Sequence, residues 1–256
     1  MPDARRALFV APFDELADPR LLARLAADAE AAGFDGLFLW DHIVYSAPTR
    51  AVLDPWVAMA AIAMATERMI TGPLVTPLSR RRPHKLARET VTLDLLSGGR
   101  TVLGVGLGSD NHGELAPFGE VAEPREQARM LDDALIDIQD YWSGTFEPRP
   151  VQRPRIPLWA AARWPNRRPV RRAARLDGLF PIGLPEPDAL AELSSEIAAQ
   201  RAEEGLTGPF DLVVTDDERG DPAPWIAAGA TWSLIGFGSQ PKLADVRAAI
   251  AAGPNG

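Results

Sequence analysis

Three histidines are the sequence's main candidates for acid–base chemistry. His42, His84 and His112 each come soon after a run that reads as a β-strand, and each precedes a stretch with helical periodicity. The imidazole group exchanges protons near neutral pH, so a histidine in a cleft suits a general acid or base. In a (β/α)₈ barrel the loops that follow the strands build the active-site mouth. The pattern therefore predicts a catalytic site, provided that the strands form such a barrel.

Strand-like and helix-like runs alternate eight times along the chain. Each helix-like run begins on or next to a proline, a residue that suits the first helical turn. The predicted strands are 7–13, 35–40, 69–75, 101–107, 156–161, 178–182, 210–214 and 231–236. The predicted helices are 19–32, 55–66, 83–96, 124–141, 169–176, 187–204, 222–228 and 241–251.

This alternation is typical of an α/β protein with a parallel sheet and crossover helices, and eight units favour closure into a (β/α)₈ TIM barrel. An open, doubly wound sheet is the alternative that the pattern leaves open. The length of 256 residues suits one barrel, so we expect a single domain over residues 1–256.

Composition narrows the possible functions. The chain has no cysteine, so histidines and carboxylates must carry any acid–base work. A formal net charge of −8 argues against a general nucleic-acid binder, because phosphate affinity needs a basic surface. The apolar run 57–65 is too short to span a bilayer, and the first residues lack a signal-peptide pattern. We expect a cytoplasmic protein that associates with neither membrane nor nucleic acid.

Four runs resemble the luciferase-like flavin-dependent oxidoreductases, the superfamily of bacterial luciferase and the deazaflavin-dependent reductases. The resemblance extends from residue 8 to about residue 237 in the family's order. The runs are GFDGLFLWDH at 33–42, RMITGPLVTPLSRRRPHKLARETVTLDLLSGGR at 68–100, VLGVGLGS at 102–109 and AARLDGLFP at 173–181.

The resemblance implies an oxidoreductase or monooxygenase that binds FMN or coenzyme F420 in the barrel mouth. It would act on a small organic substrate by hydride transfer or oxygen activation, and a homodimer is the commonest family arrangement. Basic runs and the family character of RRRPHKLARET favour F420 modestly over FMN. The resemblance assigns His42 as general base or proton donor. Asp41 would bond the cofactor ring or orient His42, and the plainer alternative is that His42 only caps its strand by bonding Asp41.

The same resemblance proposes cofactor contacts in three places. The third strand would lie beneath the ring with a bulge or a non-proline cis peptide, and glycines after the fourth strand would let the ring approach the backbone. The expected contacts of these two places are Leu74, Thr76, Gly106, Gly108 and Ser109. The third place follows the fifth strand, where the family's phosphate turn reads Ala161, Ala162 and Arg163.

Charge patterning supports that third place independently. Between residues 149 and 175 there are nine arginines and no acid, in a chain that is otherwise acidic. Ala162, Arg163 and Arg167 are the predicted phosphate contacts, whereas arginines at helical spacing further on are as well explained by a solvated face or by pairing with acids elsewhere. A second basic run, 80–85, is a candidate for the acidic tail of a deazaflavin.

Departures from the family keep other functions open. Ser109 stands where some deazaflavin dehydrogenases have a glutamate, and the segment before the fifth strand is shortened, which suggests that part of the pocket wall is missing. A non-catalytic or degenerate flavin-binding barrel is therefore one alternative. A metal-dependent hydrolase using Asp41, His42, Asp110 and His112 is a weaker one, because the sequence has no HxH pair or HExxH helix, and we predict no metal. His112 and Asn111 either line the pocket or belong to a surface turn.

Overall fold

Nine parallel strand segments form one sheet in a computed structural model that describes residues 4–215 and 221–255. The segments are β1 Arg5–Val10, β2 Gly36–Leu39, β3 Ile70–Pro73, β4 Thr76–Pro77, β5 Leu103–Gly106, β6 Leu158–Arg163, β7 Gly178–Ile182, β8 Asp211–Thr215 and β9 Trp232–Gly236. The helices are α1 Pro19–Ala31, α2 Pro55–Ala65, α3 Pro83–Ser97, α4 Pro124–Asp140, α5 Arg168–Ala174, α6 Pro187–Glu203, α7 Ala223–Ala227 and α8 Leu243–Ala252.

The sheet closes into a barrel with eight strand positions, each of which we call a stave. The nine segments fill eight staves because β3 and β4 together form the third one. β3 pairs with β2, whereas β4 pairs with β5. The closure is completed near the start of β3, where the Thr71 N–H donates to the Arg100 carbonyl and the Val102 N–H donates to the Thr71 carbonyl, both at 3.0 Å. The predicted TIM barrel is confirmed and the open sheet is wrong. The predicted strand 69–75 is observed as two segments, β3 and β4, instead of one. The Leu74–Val75 peptide between them is cis, which confirms the non-proline cis peptide that the family resemblance implies for this strand.

Two apolar layers hold the barrel together. The inner layer fills the barrel with large side chains, among which Phe38, Trp159 and Trp232 are almost completely buried. The outer layer lies between the strands and the surrounding helices. Both faces of a parallel barrel strand are covered in this way, which explains why the strands read as continuous apolar runs instead of alternating ones.

Helix starts follow the sequence closely. Proline stands in the first two positions of seven of the eight helices of the described residues, and Asp18 and Asp54 cap α1 and α2 through their carboxylates. The exception is α8, which begins at Leu243, two residues beyond Pro241. α4 ends at Asp140 and continues as a wider turn over Tyr141–Thr145. No helix within residues 4–215 or 221–255 has the length and apolar character needed to cross a membrane.

The shortened connection before β6 lies at the end of the barrel opposite the mouth. The Val151 N–H donates to the Asp94 carboxylate at 2.6 Å, and the Gln152 amide donates to the Thr101 carbonyl at 2.7 Å, just before β5 begins. A connection from a helix into a strand reaches the amino end of that strand. The expectation that shortening this segment removes a wall of the pocket is therefore wrong.

The third stave packs unusually closely on the fourth, and glycines make this possible. A β-carbon on Gly72 would stand 2.1 Å from the Val102 carbonyl oxygen, and one on Gly104 would stand 2.2 Å from the Pro73 oxygen. Neither distance is sterically allowed, so each position needs a residue without a side chain. Backbone meets backbone directly along this seam.

Candidate functional site

A cavity of about 260 Å³ opens at the carboxyl ends of the second and third staves. The residues that follow β2 contribute Asp41 and His42, and the turn after β4 contributes Arg80 and Arg81. This is the end of the barrel at which TIM-barrel proteins place their active sites. The cavity is therefore the candidate functional site, and the two predicted catalytic residues line it.

Asp41 is held by donors on every side and its side chain is only 1% exposed. Its Oδ1 accepts a hydrogen bond from Arg80 at 2.7 Å, and Arg81 donates to both carboxylate oxygens at 2.9 Å. Its Oδ2 also accepts from the Thr76 hydroxyl at 2.7 Å and lies 3.4 Å from the Trp56 indole nitrogen. Burial opposes ionisation, but the two guanidinium groups and the Thr76 hydroxyl outweigh it and lower the pKa of Asp41.

His42 bonds a carboxylate other than Asp41. Its Nδ1 lies 2.9 Å from Oε1 of Glu114, in the loop that follows β5, and its side chain is 21% exposed. The alternative in which His42 caps its strand by bonding Asp41 is wrong, because Asp41 does not bond the ring directly. The second oxygen of Glu114 accepts from the Ile43 N–H at 3.1 Å and from Arg80 at 2.9 Å.

Arg80 links the two carboxylates into one network. Its side chain is 1% exposed and donates to both Asp41 and Glu114. Two guanidinium groups therefore balance two carboxylates, which satisfies the requirement that buried charges be paired. Burial opposes the ionisation of Glu114, but the hydrogen bond and charge of His42, followed by Arg80, lower its pKa. Both acids are ionised at neutral pH.

The basic run 80–85 contains both buried and exposed residues. Arg80 and Arg81 belong to the buried network, so they are not free to bind an acidic cofactor tail as predicted. His84 is exposed in the first turn of α3, and Lys85 pairs with Glu89 on the same helix. The prediction that all three histidines share the mouth is wrong for His84, because the stave ends early and the helix has already begun.

The other two histidines do come together. The His112 ring stacks on Tyr45 with centroids 3.8 Å apart, and its Nδ1 lies 2.8 Å from the Ser46 hydroxyl. The centroid of the His42 ring lies 5.9 Å from that of His112 and 5.1 Å from that of Tyr45. The loop after β2 and the loop after β5 are thus joined by an aromatic contact beside His42.

The predicted cofactor contacts of the third and fourth staves are mostly buried. Thr76 is 0% exposed and its hydroxyl is already bound to Asp41, so it positions that carboxylate. Leu74 is 3% exposed and packs in the inner layer. A β-carbon on Gly106 would meet the Val75 side chain at 2.7 Å, and one on Gly108 would meet Pro77 at 2.8 Å. These glycines admit neighbouring protein atoms, and Ser109 beside them is exposed.

The arginines of the region 149–175 also differ in their surroundings: some are free of ion pairs with the described residues and others are paired with acids. Arg163, at the end of β6, is exposed and makes no ion pair with any residue that the structure describes. Arg167 pairs with Glu192 and Glu196 of α6 and lies 4.4 Å from the Trp164 ring centroid. Ala162 is 3% exposed and its side chain packs in the outer layer, so only its backbone can face a ligand. Further along, Arg172 and Arg175 pair with acids, as the plainer reading of the helical spacing predicts.

Glu114 is the site residue that the sequence analysis missed. It is 1% exposed, and the contacts that bury it come from residues 34 to 72 positions away in the chain. A glutamate in a polar loop gives no local signal of such burial. Its position in the strand-following loop that also holds His112 was the one available indication.

The acids of the site are already committed to protein donors. Asp110 accepts from the backbone N–H groups of Leu115 and Ala116, at 2.7 and 3.3 Å. Within residues 4–215 and 221–255, no group of three or more histidine and carboxylate side chains is placed to hold a metal ion. Since two arginines bind the Asp41 carboxylate, this residue does not suit the hydrolase alternative.

Barrel, mouth and buried charge network together define a (β/α)₈ protein with an enzyme-like site at the carboxyl ends of its strands. The family model described as luciferase-like monooxygenase matches residues 8–216. The chain belongs to this family. An uncharacterized protein of Mycobacterium bovis is 30% identical over 219 residues, which are 77% of this chain and 73% of that relative.

Other similar proteins have described activities. The F420-dependent glucose-6-phosphate dehydrogenase of Beutenbergia cavernae is 34% identical over 131 residues, and the match spans 49% of this chain but only 38% of that enzyme. Among solved structures, an F420-dependent secondary alcohol dehydrogenase in complex with an F420-acetone adduct has a TM-score of 0.77 and 16% identity. The alignment covers 95% of this chain and 96% of that one. This second likeness concerns the fold.

Proposed function

We propose that this chain is an F420- or FMN-dependent oxidoreductase that acts on a small organic substrate, with His42 as the residue that exchanges a proton with that substrate. The observation that carries the proposal is the placement of His42: a partly exposed imidazole, bound to a buried carboxylate, in the mouth of a luciferase-like barrel. General acid–base catalysis needs a titratable group that a substrate can reach and that the protein holds in place.

The residues of the mouth fit a flat ring system. Val75, Ala161 and Ile182 are half-buried where the inner apolar layer reaches the mouth, and Trp40 lies beside them. The indole N–H of Trp40 is buried and has no hydrogen-bond partner among the described residues. An apolar layer together with an unpaired donor suits a heterocycle that carries polar groups on its rim.

A phosphate would be held at the end of β6. Arg163 offers an exposed guanidinium group there, and the backbone around Ala162 can approach a ligand closely because the residue is small. Arg167, paired with two glutamates, contributes less. Of the contacts expected from the sequence, we therefore retain Arg163 and the backbone of Ala162, together with the exposed Ser109.

Each component has a distinct chemical role. A bound deazaflavin or flavin supplies a ring that accepts or donates a hydride. His42 takes up the proton that a substrate hydroxyl releases on oxidation, or returns it on reduction. Asp41, held by Arg80 and Arg81, keeps its negative charge and shapes the wall beside the imidazole. The match to an F420-dependent glucose-6-phosphate dehydrogenase supports F420 over FMN and a substrate that carries hydroxyl groups.

A homodimer is part of the proposal. α2 carries no charged side chain from Pro55 to Ala65, yet Val57 is 67% exposed and Met64 is 70% exposed. An apolar helix whose outer face is uncovered is typical of a face that packs against another chain. The cytoplasmic location expected from the sequence stays a prediction.

Titration of the purified protein with F420 and with FMN tests the proposal. We expect fluorescence quenching to show micromolar binding of one cofactor, weakened about tenfold or more by Arg163→Ala, because a hydrogen bond to a charged group contributes about 1.5–3 kcal/mol. Arg171→Ala, which removes an exposed arginine of the neighbouring helix, is the matched control and should bind as the parent does. His42→Ala should retain binding and lose turnover. Absence of binding by either cofactor would refute the proposal and favour a non-catalytic barrel.

A further inference from the structure

The partners of Glu114 restrict the protonation of His42. Oε2 of Glu114 accepts from the Ile43 N–H and from a guanidinium N–H of Arg80, and neither of these groups can act as an acceptor. Oε1 is thereby left to face Nδ1 of His42 at 2.9 Å. Since Glu114 is ionised and acts only as an acceptor, Nδ1 must be the donor in this contact.

We infer that Glu114 is a positioning residue that holds His42 in the tautomer protonated at Nδ1, so that Nε2 is the nitrogen that exchanges a proton with the substrate. This inference rests on the proposed function for its catalytic meaning, but the tautomer itself follows from the contacts. His42 lines the mouth cavity with a side chain that is 21% exposed. During oxidation of an alcohol the substrate O–H bond breaks and an N–H bond forms at Nε2, while the carbinol C–H bond breaks and the C=O bond forms. The hydride released from carbon would be accepted by a deazaflavin or flavin when one is bound.

Arg80 keeps the Glu114 carboxylate in this orientation. The guanidinium group is fixed by Asp41 on one side, through contacts of 2.7 Å to both the carboxylate and the carbonyl of that residue. It therefore presents an N–H to Glu114 that cannot be withdrawn without breaking the buried network. Asp41 thus acts at a distance on the imidazole, through Arg80 and Glu114.

The substitution Glu114→Gln should reverse the tautomer. Ile43 and Arg80 still require an acceptor, so the amide oxygen of glutamine must take the place of Oε2. The amide NH₂ group then faces Nδ1 of His42 and donates to it, which requires Nδ1 to be the unprotonated nitrogen. The ring proton moves to Nε2, and the base that faced the substrate is lost.

Nitrogen-15 NMR of the cofactor-free protein tests this directly. The chain has three histidines, so labelled histidine gives three pairs of ring nitrogens, and the variant His42→Gln assigns one pair. With the ring neutral, we expect the wild-type protein to be protonated at Nδ1 of His42 and Glu114→Gln to be protonated at Nε2. Glu120→Gln, in the same loop, is the matched control and should match the wild type.

The outcomes separate cleanly. An unchanged tautomer in Glu114→Gln, or protonation at Nε2 in the wild-type protein, would overturn the inference; the wild-type spectrum decides even if the variant does not fold. With cofactor and substrate, Glu114→Gln should lose turnover by about 100-fold or more, as expected when general acid–base catalysis is removed, while Glu120→Gln retains it. Failure of the protein to bind F420 or FMN would refute the proposed function and leave the tautomer result standing.

Discussion

Replacing Asp41 by asparagine should destabilise the folded barrel substantially. The change keeps the shape of the side chain and removes its charge. Arg81 donates to both carboxylate oxygens and Arg80 donates to Oδ1, so the new NH₂ group faces at least one guanidinium group in either orientation of the amide. Arg80, whose side chain is 1% exposed, then retains only Glu114 as a charged partner.

The magnitude follows from burial. Breaking a buried ion pair by neutralising one partner costs about 3–5 kcal/mol, because the remaining charge is left without compensation. The partial exposure of Arg81, 21%, lets that group recover some hydration, which favours the lower end of the range. For a domain of this size each kcal/mol lowers the melting temperature by about 2–4 °C, so we expect a decrease of about 6–12 °C at that lower end.

Thermal unfolding followed by circular dichroism measures the effect, with the urea midpoint as a second reading. Glu126→Gln is the control, because it neutralises a carboxylate paired with Arg129 on the exposed face of α4 and should leave the midpoint unchanged. A decrease of less than about 2 °C for Asp41→Asn would show that the buried network contributes no more than a surface pair, and would refute the reasoning.

Two further predictions concern acid stability and assembly. Folding lowers the pKa values of Asp41 and Glu114, so in acid the unfolded chain binds more protons than the folded protein does. The free energy of unfolding should therefore fall as the pH drops below about 4.5. Urea titrations at several pH values should show a less steep fall in the Asp41→Asn, Glu114→Gln double variant. An equal slope in both proteins would contradict this. Met64→Glu on α2 should convert a dimer to a monomer in light scattering, whereas Ile136→Glu, equally exposed on α4, should not; a dimer that survives Met64→Glu would place the interface elsewhere.

The barrel could be predicted from the sequence because its signals are local. Each strand is a short apolar run and each helix begins near a proline, so eight repetitions of that unit are visible without any knowledge of contacts. The family resemblance implies a bulge or a non-proline cis peptide in the third strand, but the residues themselves do not indicate that the stave divides between Leu74 and Val75. Neighbouring residues cannot indicate which of two staves each half will join.

The site was predictable in its residue types and not in its pairings. His42 and Asp41 were identified because both follow a strand, but the charged partners of each lie 39 or more positions away. Arg80 stands in a run of three arginines, which locally indicates a solvated basic surface. Its burial is caused by two carboxylates that only the folded barrel brings together, so charge patterning along the chain could not reveal it.

The glycine seam between the third and fourth staves limits how this protein can be engineered. Where a β-carbon would overlap a carbonyl oxygen, at Gly72 and Gly104, no compensating change in a neighbouring side chain can restore the fit, because the obstacle is backbone. In a mutagenesis library aimed at new substrates, substitutions at these two positions would therefore yield misfolded proteins. Diversity is better spent on the exposed part of the loop that carries Tyr45, where the chain can change without altering the spacing of the barrel.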